Sequence, residues 1–201
     1  MAKQKKYYAV RQGRQVGIFT DWDECKRLVT GYKGAEFKGF LNRDDALAYL
    51  GAGDGKAETV APSSDTAVAY VDGSFNPKTK IFSCGVVLLL KDGEKTFCES
   101  FDDPELASMR NVAGEIKGAM RAVSLCIELG FKKVYIFYDY AGIEKWCTGE
   151  WKTNKTGTME YKAFCDEAKT KIDMEFRKVK GHSGDKYNDM ADELAKKAAG
   201  V

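Results

Sequence analysis

The only histidine of the chain, His182, lies in the stretch GHSGDKYNDMADELA at residues 181–195. Four acidic residues follow it within eleven positions, namely Asp185, Asp189, Asp192 and Glu193. An imidazole can transfer protons near neutral pH, and carboxylates can hold a divalent cation. On a helix, Asn188 and Asp192 share a face because they are four residues apart, whereas Asp189 and Glu193 point elsewhere. A solvated helix start has the same composition, so this stretch alone leaves the chemistry open.

Two more carboxylates stand where predicted apolar strands end. Asp72 follows AVAYV, and Asp139 follows VYIFY. Ligands of α/β sheets gather at strand ends, so carboxylates at these positions are candidates for a binding site. Aspartate also begins many ordinary turns, and for each residue taken alone that interpretation is the more common one.

Another candidate, Glu115, lies in SMRNVAGEIKGAM, within a predicted long helix. Asn111 precedes it by four residues and therefore shares its helix face. Gly114 and Gly118 each weaken a helix by about 1 kcal/mol relative to alanine, which indicates that something approaches the backbone here. The alternative is a loosely packed, solvated face.

Composition is that of a globular protein. The chain has 201 residues, of which 44% are hydrophobic and 31% charged, enough for one domain or for a domain plus a small module. It contains no run of about 18 apolar residues and no apolar segment after its basic start, so we expect no membrane span and no secretory signal. The six cysteines form no CxxC pair, which favours reduced thiols of a cytoplasmic protein over zinc ligands or disulfides.

The net charge of +2 is unevenly distributed. Residues 1–50 carry 10 Lys and Arg against 6 Asp and Glu, whereas residues 67–201 carry 21 of each. The stretch between them, GAGDGKAETVAPSSDT at residues 51–66, has the composition of a flexible linker. We therefore predict an anion-binding module over residues 1–50, a linker over residues 51–66, and a larger domain over residues 67–201.

The residue pattern of the first module predicts a three-stranded sheet with two short helices. Strands around Tyr8–Val10 and Val16–Phe19 flank a glycine turn, and a helix capped at Thr20–Asp21 covers residues 22–32. A third strand follows at residues 35–40, and Asn42 could cap a second helix ending at Leu50.

The second module predicts the order β-β-β-α-β-α-α-β-α, an antiparallel meander followed by strands that are connected by helices. The first of its strands is expected to end at Asp72–Gly73, and a long helix is expected over residues 104–129, starting near Pro104 and stopped by Gly130.

Four motifs together resemble ribonuclease H type 1: DGS after a strand, RNVAGE on the long helix, YD after the central strand, and GHSGDKYNDMADELA at the end. The resemblance covers essentially all of residues 67–199. It implies an α/β, ribonuclease-H-like fold with a five-stranded mixed sheet flanked by helices. It maps the four metal-binding carboxylates to Asp72, Glu115, Asp139 and Asp192, where Asp192 opens DELA ten residues after the histidine.

The resemblance also implies an activity, namely endonucleolytic hydrolysis of the RNA strand of RNA/DNA hybrids that leaves 5′-phosphate and 3′-hydroxyl ends. Two Mg²⁺ ions about 4 Å apart, for which Mn²⁺ could substitute, would place the water and stabilise the leaving oxygen. Asp72 is expected to bridge them, and His182 to assist as the family's flexible-loop histidine. Asn111 and Asn188 match polar positions near the substrate, and Trp146 and Trp151 lie in a segment resembling the one that contacts DNA.

The first module is similar to the hybrid-binding domain found at the front of many such enzymes, where a basic, aromatic surface grips the duplex. The residues that match its binding positions are Tyr8, Trp22, Phe37 and Lys38, with Arg11 and Arg14 as further phosphate contacts. The family often has a second lysine where this chain has Gly39. The alternative for Trp22 is burial in a small core, since compact modules need aromatic cores too.

The expected partner is an RNA/DNA hybrid, bound by a monomer without a membrane or an obligate protein partner. One alternative is a non-catalytic protein that binds hybrids or double-stranded RNA, against which the complete set of four carboxylates argues. Another is a DNA-cutting nuclease of the wider superfamily, against which the hybrid-binding module argues.

Overall fold

The computed structural model describes residues 6–41, 43, 46, 49–50, 60–179 and 185–201. The chain divides into two compact units, Met1–Thr59 and Val60–Val201. Within the described ranges, no helix is long and apolar enough to cross a membrane. Residues 51–59 of the predicted linker and the predicted cap Asn42 lie outside the described residues.

The N-terminal unit is built on an antiparallel sheet with the strand order β2-β1-β3. Its elements are β1 (Tyr7–Gln12), β2 (Gly17–Phe19), α1 (Trp22–Val29) and β3 (Glu36–Phe40). Helix α1 begins at the predicted place because the Asp21 carboxylate accepts a hydrogen bond of 2.9 Å from the backbone N–H of Glu24. In the segment of the predicted second helix, the described residues Ala46, Tyr49 and Leu50 are helical.

A small core holds this unit together. Cys25 and Val29 of α1 are four residues apart and pack against Val10 and Phe19 of the sheet. Complete burial of an aliphatic or aromatic side chain contributes about 1.5–3 kcal/mol. The core therefore forms without Trp22.

The C-terminal unit is a five-stranded mixed sheet with the order β6-β5-β4-β7-β8. Strands β4, β5 and β6 pair antiparallel, whereas β4 with β7 and β7 with β8 pair parallel. This topology confirms the predicted fold class. The elements are β4 (Thr66–Phe75), β5 (Phe82–Leu90), β6 (Gly93–Phe101), a 3₁₀ helix (Leu106–Met109), α2 (Asn111–Glu128), β7 (Lys133–Tyr138), α3 (Gly142–Thr148), α4 (Thr156–Ala168), β8 (Asp173–Lys178) and α5 (Lys186–Ala199).

The two faces of the sheet bury different helices. Side chains alternate along β4, so Ala69 and Val71 face the larger core with α2, while Val68 and Tyr70 face the opposite core with Ala191 of α5. The continuous apolar composition of this strand follows from burial on both faces.

Glycines let α2 lie directly on the sheet. A Cβ on Gly114 would overlap the carbonyl oxygen of Ser83, and a Cβ on Gly118 would lie 3.3 Å from the Cβ of Cys84. The group that approaches the backbone at these two glycines is therefore the sheet itself.

The predicted end of the first strand is wrong. Strand β4 runs through Asp72 to Phe75, and Asp72 pairs with Gly85 on β5. The antiparallel hairpin with β5 continues past the point where the parallel pairing with β7 stops, which the apolar pattern could not reveal. At the other end of the strand, Thr66 belongs to β4 and not to the predicted linker.

The predicted helix over residues 104–129 is also wrong in its first part. A 3₁₀ turn, Leu106–Met109, is separated from α2 by Arg110, whose φ of 55° and ψ of −134° are not helical. Leu106 and Met109 are both buried at a spacing of three, which fits α and 3₁₀ helices alike, so the pattern hides the break. The predicted stop is confirmed, since α2 ends at Glu128 and Gly130 follows with φ of 80°.

Candidate active site

Three carboxylates from three different elements converge at one end of the sheet. Asp72, Glu115 and Asp139 each offer an oxygen, and these oxygens all lie within 4.8 Å of one another. Asp72 and Glu115 are buried, and Asp139 is half-buried. We refer to these residues as the three-carboxylate cluster.

The parallel register explains why Asp72 and Asp139 meet. The pairing between β4 and β7 ends at Tyr70 opposite Phe137; Asp72 stands two residues further along β4, and Asp139 directly follows the last residue of β7. Both aspartates therefore lie just beyond the last paired residues of two neighbouring parallel strands, which brings their carboxylates together. The rings of Tyr70 and Phe137 stack at 4.6 Å between centroids at the last paired position before the aspartates.

Glu115 reaches the cluster from α2. A Cβ on Gly73 would overlap the backbone nitrogen of Glu115, so the helix approaches β4 more closely than a side chain would permit. Asn111, one turn earlier, donates a hydrogen bond of 3.3 Å from Nδ2 to Oε1 of Glu115. The second oxygen, Oε2, is buried and has no hydrogen-bond partner among the described residues.

The electrostatics of the cluster disfavour three ionised carboxylates side by side. Burial, together with the charges of Asp139 and Asp72, raises the pKa of Glu115 to about 9, although the Asn111 hydrogen bond opposes the rise. A bound divalent cation would reverse this balance by stabilising the ionised carboxylates. The unpartnered Oε2 and the all-oxygen donor set fit a hard cation such as Mg²⁺ or Mn²⁺.

The predicted fourth carboxylate, Asp192, is not part of the three-carboxylate cluster. It lies on α5, where its Oδ2 accepts a hydrogen bond of 2.6 Å from Nζ of Lys196. The hydrogen bond to Asp192 and the charges of Asp192 and Asp72 raise the pKa of Lys196, so this ammonium lies within electrostatic range of both aspartates. Glu193, which was predicted to point elsewhere, is exposed.

Asn188, one turn before Asp192, is 2% exposed, and its Oδ1 has no hydrogen-bond partner among the described residues. A buried amide oxygen without a partner is costly and is often found where a ligand or water completes the bonding. Asp185 caps the N-terminus of α5: its carboxylate accepts hydrogen bonds from the backbone N–H groups of Tyr187 and Asn188 at 3.1 Å each. His182 lies outside the described residues, and its role stays a prediction.

The two tryptophans predicted to bind substrate belong to one aromatic cluster. The centroids of Trp146 and Trp151 are 5.9 Å apart, and Tyr140 lies 5.7 Å and 6.3 Å from them. Trp151 is 39% exposed, and Nζ of Lys145 lies 5.9 Å from its centroid. Tyr140 follows Asp139 directly, so this aromatic group lies next to the three-carboxylate cluster in the chain. Sequence reasoning missed its contribution, although its adjacency to Asp139 was a signal.

In the N-terminal unit, Tyr8, Trp22 and Phe37 form an aromatic patch. Trp22 lies 5.2 Å from Tyr8 and 5.9 Å from Phe37 between centroids, and Trp22 and Phe37 are each 41% exposed. The alternative of a buried Trp22 is therefore wrong. Lys38, next to Phe37, is exposed, and its Nζ lies 5.7 Å from the ring centroid of Phe40.

The two arginines predicted to contact phosphate already have partners within their own unit. Nη1 of Arg14 donates to the carbonyls of Arg27 and Thr30 at 2.9 and 2.7 Å, so this side chain closes the C-terminal end of α1. Arg11 pairs with Glu36 at 3.6 Å. A phosphate contact by either residue would compete with these interactions.

Comparisons with known proteins agree with the resemblance. A family model described as RNase H matches residues 64–200, and one described as the N-terminal domain of ribonuclease H1 matches residues 6–50. The Ribonuclease H of Wolbachia pipientis wMel is 44% identical over 141 residues, which are 68% of this chain and 97% of that protein. The Ribonuclease H of Saccharomyces cerevisiae is 49% identical over 51 residues, so the match spans 25% of this chain and 15% of the yeast protein.

Among solved structures, LC11-RNase H1 in complex with an RNA/DNA hybrid has a TM-score of 0.53 and 16% identity, covering 66% of this chain and 98% of its own. At that identity, the likeness supports the fold alone.

Proposed function

Because the chain belongs to the ribonuclease H family, we propose that it is an endoribonuclease that hydrolyses the RNA strand of RNA/DNA hybrids. The observation that carries the proposal is the three-carboxylate cluster, with oxygens of Asp72, Glu115 and Asp139 within 4.8 Å of one another. A folded protein does not hold three acidic groups this close without a compensating charge unless one is protonated, as the raised pKa of Glu115 indicates.

Asp72, Glu115 and Asp139 would hold divalent cations, with Mg²⁺ as the expected ion, and Asp192 would complete the set from α5. Two bound cations would supply Lewis-acid activation of a water and stabilisation of charge on the leaving oxygen. The products would then carry 5′-phosphate and 3′-hydroxyl ends.

The chain's own residues prepare this site. Asn111 orients Glu115 through its 3.3 Å hydrogen bond to Oε1, and Oε2 keeps no hydrogen-bond partner among the described residues. Asn188 offers a buried amide oxygen without a partner among the described residues, and we assign it to hydrogen bonding with the substrate. His182 would accept a proton from the attacking water or assist release of product.

Two aromatic surfaces would bind the duplex. Tyr140, Trp146 and Trp151, beside the carboxylates, would contact the DNA strand. The aromatic patch of the N-terminal unit, together with Lys38, would bind the hybrid independently of its sequence. Contacts to phosphates and stacking on exposed rings do not distinguish one base from another. The match of this unit to the N-terminal domain of ribonuclease H1 supports the assignment.

The proposal is tested by incubating the full chain with three end-labelled duplexes: an RNA/DNA hybrid, RNA/RNA and DNA/DNA. Each duplex is incubated in Mg²⁺, in Mn²⁺ and in EDTA. We expect cleavage of only the RNA strand of the hybrid, and only with a cation present. Binding of the hybrid without cleavage would favour the non-catalytic alternative, and cleavage of DNA would favour a nuclease of the wider superfamily. Ligation of the downstream fragment without prior kinase treatment checks the 5′-phosphate.

A further inference from the structure

Strand β6 forms one edge of the five-stranded sheet. It pairs with β5 over its whole length without a bulge, from Phe101 opposite Phe82 to Gly93 opposite Leu90. Among the residues that the structure describes, no strand pairs with its other side. Alternate residues of β6 therefore direct their backbone N–H and C=O groups away from the sheet. We refer to this side of the strand as the β6 edge.

The β6 edge lacks most of the features that prevent an edge strand from pairing with another chain. It is nine residues long, whereas protected edges are usually short, bulged or interrupted by proline. Strand β6 contains no proline, and its pairing with β5 is continuous. Charged side chains are the remaining protection, so their arrangement decides whether a second strand can bind.

Two opposite charges lie on one face of β6, on either side of a phenylalanine. Phe97 packs half-buried against the core on the α2 side, where Cζ of Arg121 lies 5.6 Å from its ring centroid. Lys95 and Glu99 stand two residues before and after Phe97 and therefore share its face.

The fold does not use these two charges. Lys95 and Glu99 are exposed. Within the described part of the chain, neither side chain has a hydrogen bond or an ion pair. They cannot pair with each other, because four residues span about 13 Å along an extended strand.

A second copy of β6 in antiparallel pairing would match both charges. In a symmetric pair one residue lies opposite its own copy, and residues equally far before and after it face each other. With Phe97 at the centre, Lys95 lies opposite Glu99 of the second copy, and Glu99 lies opposite Lys95 of the second copy. On the other face of the sheet, Thr96 and Cys98 face each other.

The neighbouring registers lack this complementarity. With Thr96 or Cys98 at the centre, Lys95 lies opposite a phenylalanine. With Lys95 or Glu99 at the centre, two like charges lie directly opposite each other, which destabilises an antiparallel pair. Of these registers, the one centred on Phe97 alone places each charge opposite its counterpart.

We propose that the β6 edge binds a second copy of this chain, with the two β6 strands antiparallel and Phe97 opposite Phe97. The occupant is the same chain because the charges of the edge are complementary to themselves. The contact rests on one strand of each copy, and interfaces below about 1,200 Å² are weak. The dimer is therefore reversible, and the expected monomer is the form at low concentration.

Sedimentation velocity of the full chain, from micromolar concentrations up to about 1 mM, covers the range in which weak complexes form. A reductant prevents the exposed Cys98 from linking copies covalently. We expect the fraction of wild-type dimer to rise with concentration. Lys95→Glu and Glu99→Lys each replace two opposite-charge pairs by two like-charge pairs, which should raise the dissociation constant at least about tenfold.

Glu94→Lys is the matched control. Glu94 is exposed on the same strand, but it lies on the other face and stands opposite Ser100 in the proposed register. This variant changes the net charge as much as Glu99→Lys does and should dimerise like the wild type.

A mixture of the two single variants tests the register itself. Lys95→Glu and Glu99→Lys are complementary to each other in the register centred on Phe97, although neither is complementary to itself. With a fluorophore on one of them, the mixture should show a heterodimer of about the wild-type affinity. Such rescue also shows that both variants are folded.

A wild type that stays monomeric at the highest concentration would overturn the inference. So would single variants that dimerise like the wild type, or a mixture that fails to associate although the wild type does. The measurement contains no substrate and no metal, so each of these outcomes leaves the proposed function untouched.

Discussion

Gly73 on β4 and Glu115 on α2 are in direct backbone contact, and the space between them is too small for a Cβ. This contact brings the Glu115 carboxylate to Asp72, since the helix approaches the strand where Gly73 and its neighbour across the contact, Gly114, both lack a side chain. The geometry of the cluster therefore depends on a residue that offers no ligand atom itself.

Replacement of this glycine should separate the carboxylates. Gly73→Ala forces α2 away from β4, and overpacking of this kind costs about 1–3 kcal/mol of stability. We expect loss of hybrid cleavage and weaker Mn²⁺ binding by calorimetry. Gly93→Ala is the control, because nothing lies within 4 Å of the added methyl although φ of 140° disfavours it. That variant should be destabilised and yet bind Mn²⁺ like the wild type; equal loss in both variants would contradict the role of the Gly73 contact.

The raised pKa of Glu115 predicts a pH dependence of the metal-free protein. Because the folded-state pKa of about 9 lies above the ordinary value of 4.5, the native state binds the proton more tightly than the unfolded state does. The contribution of Glu115 protonation to the free energy of unfolding is fully present below about pH 4.5 and is lost as the pH rises towards 9. The free energy of unfolding should fall by up to about 1.4 kcal/mol per pH unit in this range. Denaturant unfolding in EDTA from pH 5 to 9 measures this change in the free energy of unfolding. In Glu115→Gln, the free energy of unfolding should depend less on pH over the same range. A wild type and variant with parallel profiles would show that Glu115 is ionised without a cation.

Removal of the Asn111 side chain should weaken the site without removing a ligand. Its hydrogen bond lowers the pKa of Glu115, so Asn111→Ala should raise that pKa further and shift the pH at which Mn²⁺ binds to higher values. Loss of such a supporting residue typically costs 10–100-fold in metal affinity or activity. A purely structural role would change the melting temperature but leave the pH dependence of Mn²⁺ binding where it is in the wild type.

The aromatic patch of the N-terminal unit should carry hybrid affinity. Trp22→Ala removes an exposed ring at its centre, and we expect hybrid binding to weaken by about 5- to 150-fold, the range for stacking contacts. Tyr32→Ala removes a ring that is 38% exposed and has no ring contact among the described residues, so it is the matched control. Equal effects of the two substitutions on hybrid affinity would remove the patch from the proposed interface.

Arg14 is expected to act on stability instead of affinity. Its two hydrogen bonds to the carbonyls at the end of α1 would be lost in Arg14→Ala, at a cost of about 1 kcal/mol. If the side chain does not contact phosphate, the dependence of hybrid affinity on salt should stay the same. If the slope of the logarithm of hybrid affinity against the logarithm of salt concentration instead decreased by about one, the phosphate contact that the sequence predicted would be established.

The sequence predicts the mixed sheet and both aspartates of adjacent strands, because apolar runs followed by Asp mark where buried strands meet solvent. It does not predict that Asp72 lies inside β4, since the end of a strand depends on which neighbour it pairs with. The break at Arg110 is invisible for a similar reason, as Leu106 and Met109 continue a helical pattern through it. Asp192 was assigned by resemblance alone, and its 2.6 Å contact with Lys196 required a structure. The cytoplasmic location and the monomeric state stay predictions.

The central claim is that α5 contributes Asp192 to a four-carboxylate metal site. Cleavage of an end-labelled RNA/DNA hybrid in Mg²⁺ by the wild type, Asp192→Asn and Asp189→Asn tests it most directly. The account predicts that Asp192→Asn loses cleavage but keeps hybrid binding, while Asp189→Asn cleaves like the wild type. Equal cleavage by all three proteins would mean that α5 presents only a solvated face there. Asp192 would then pair with Lys196 without contributing to the metal site.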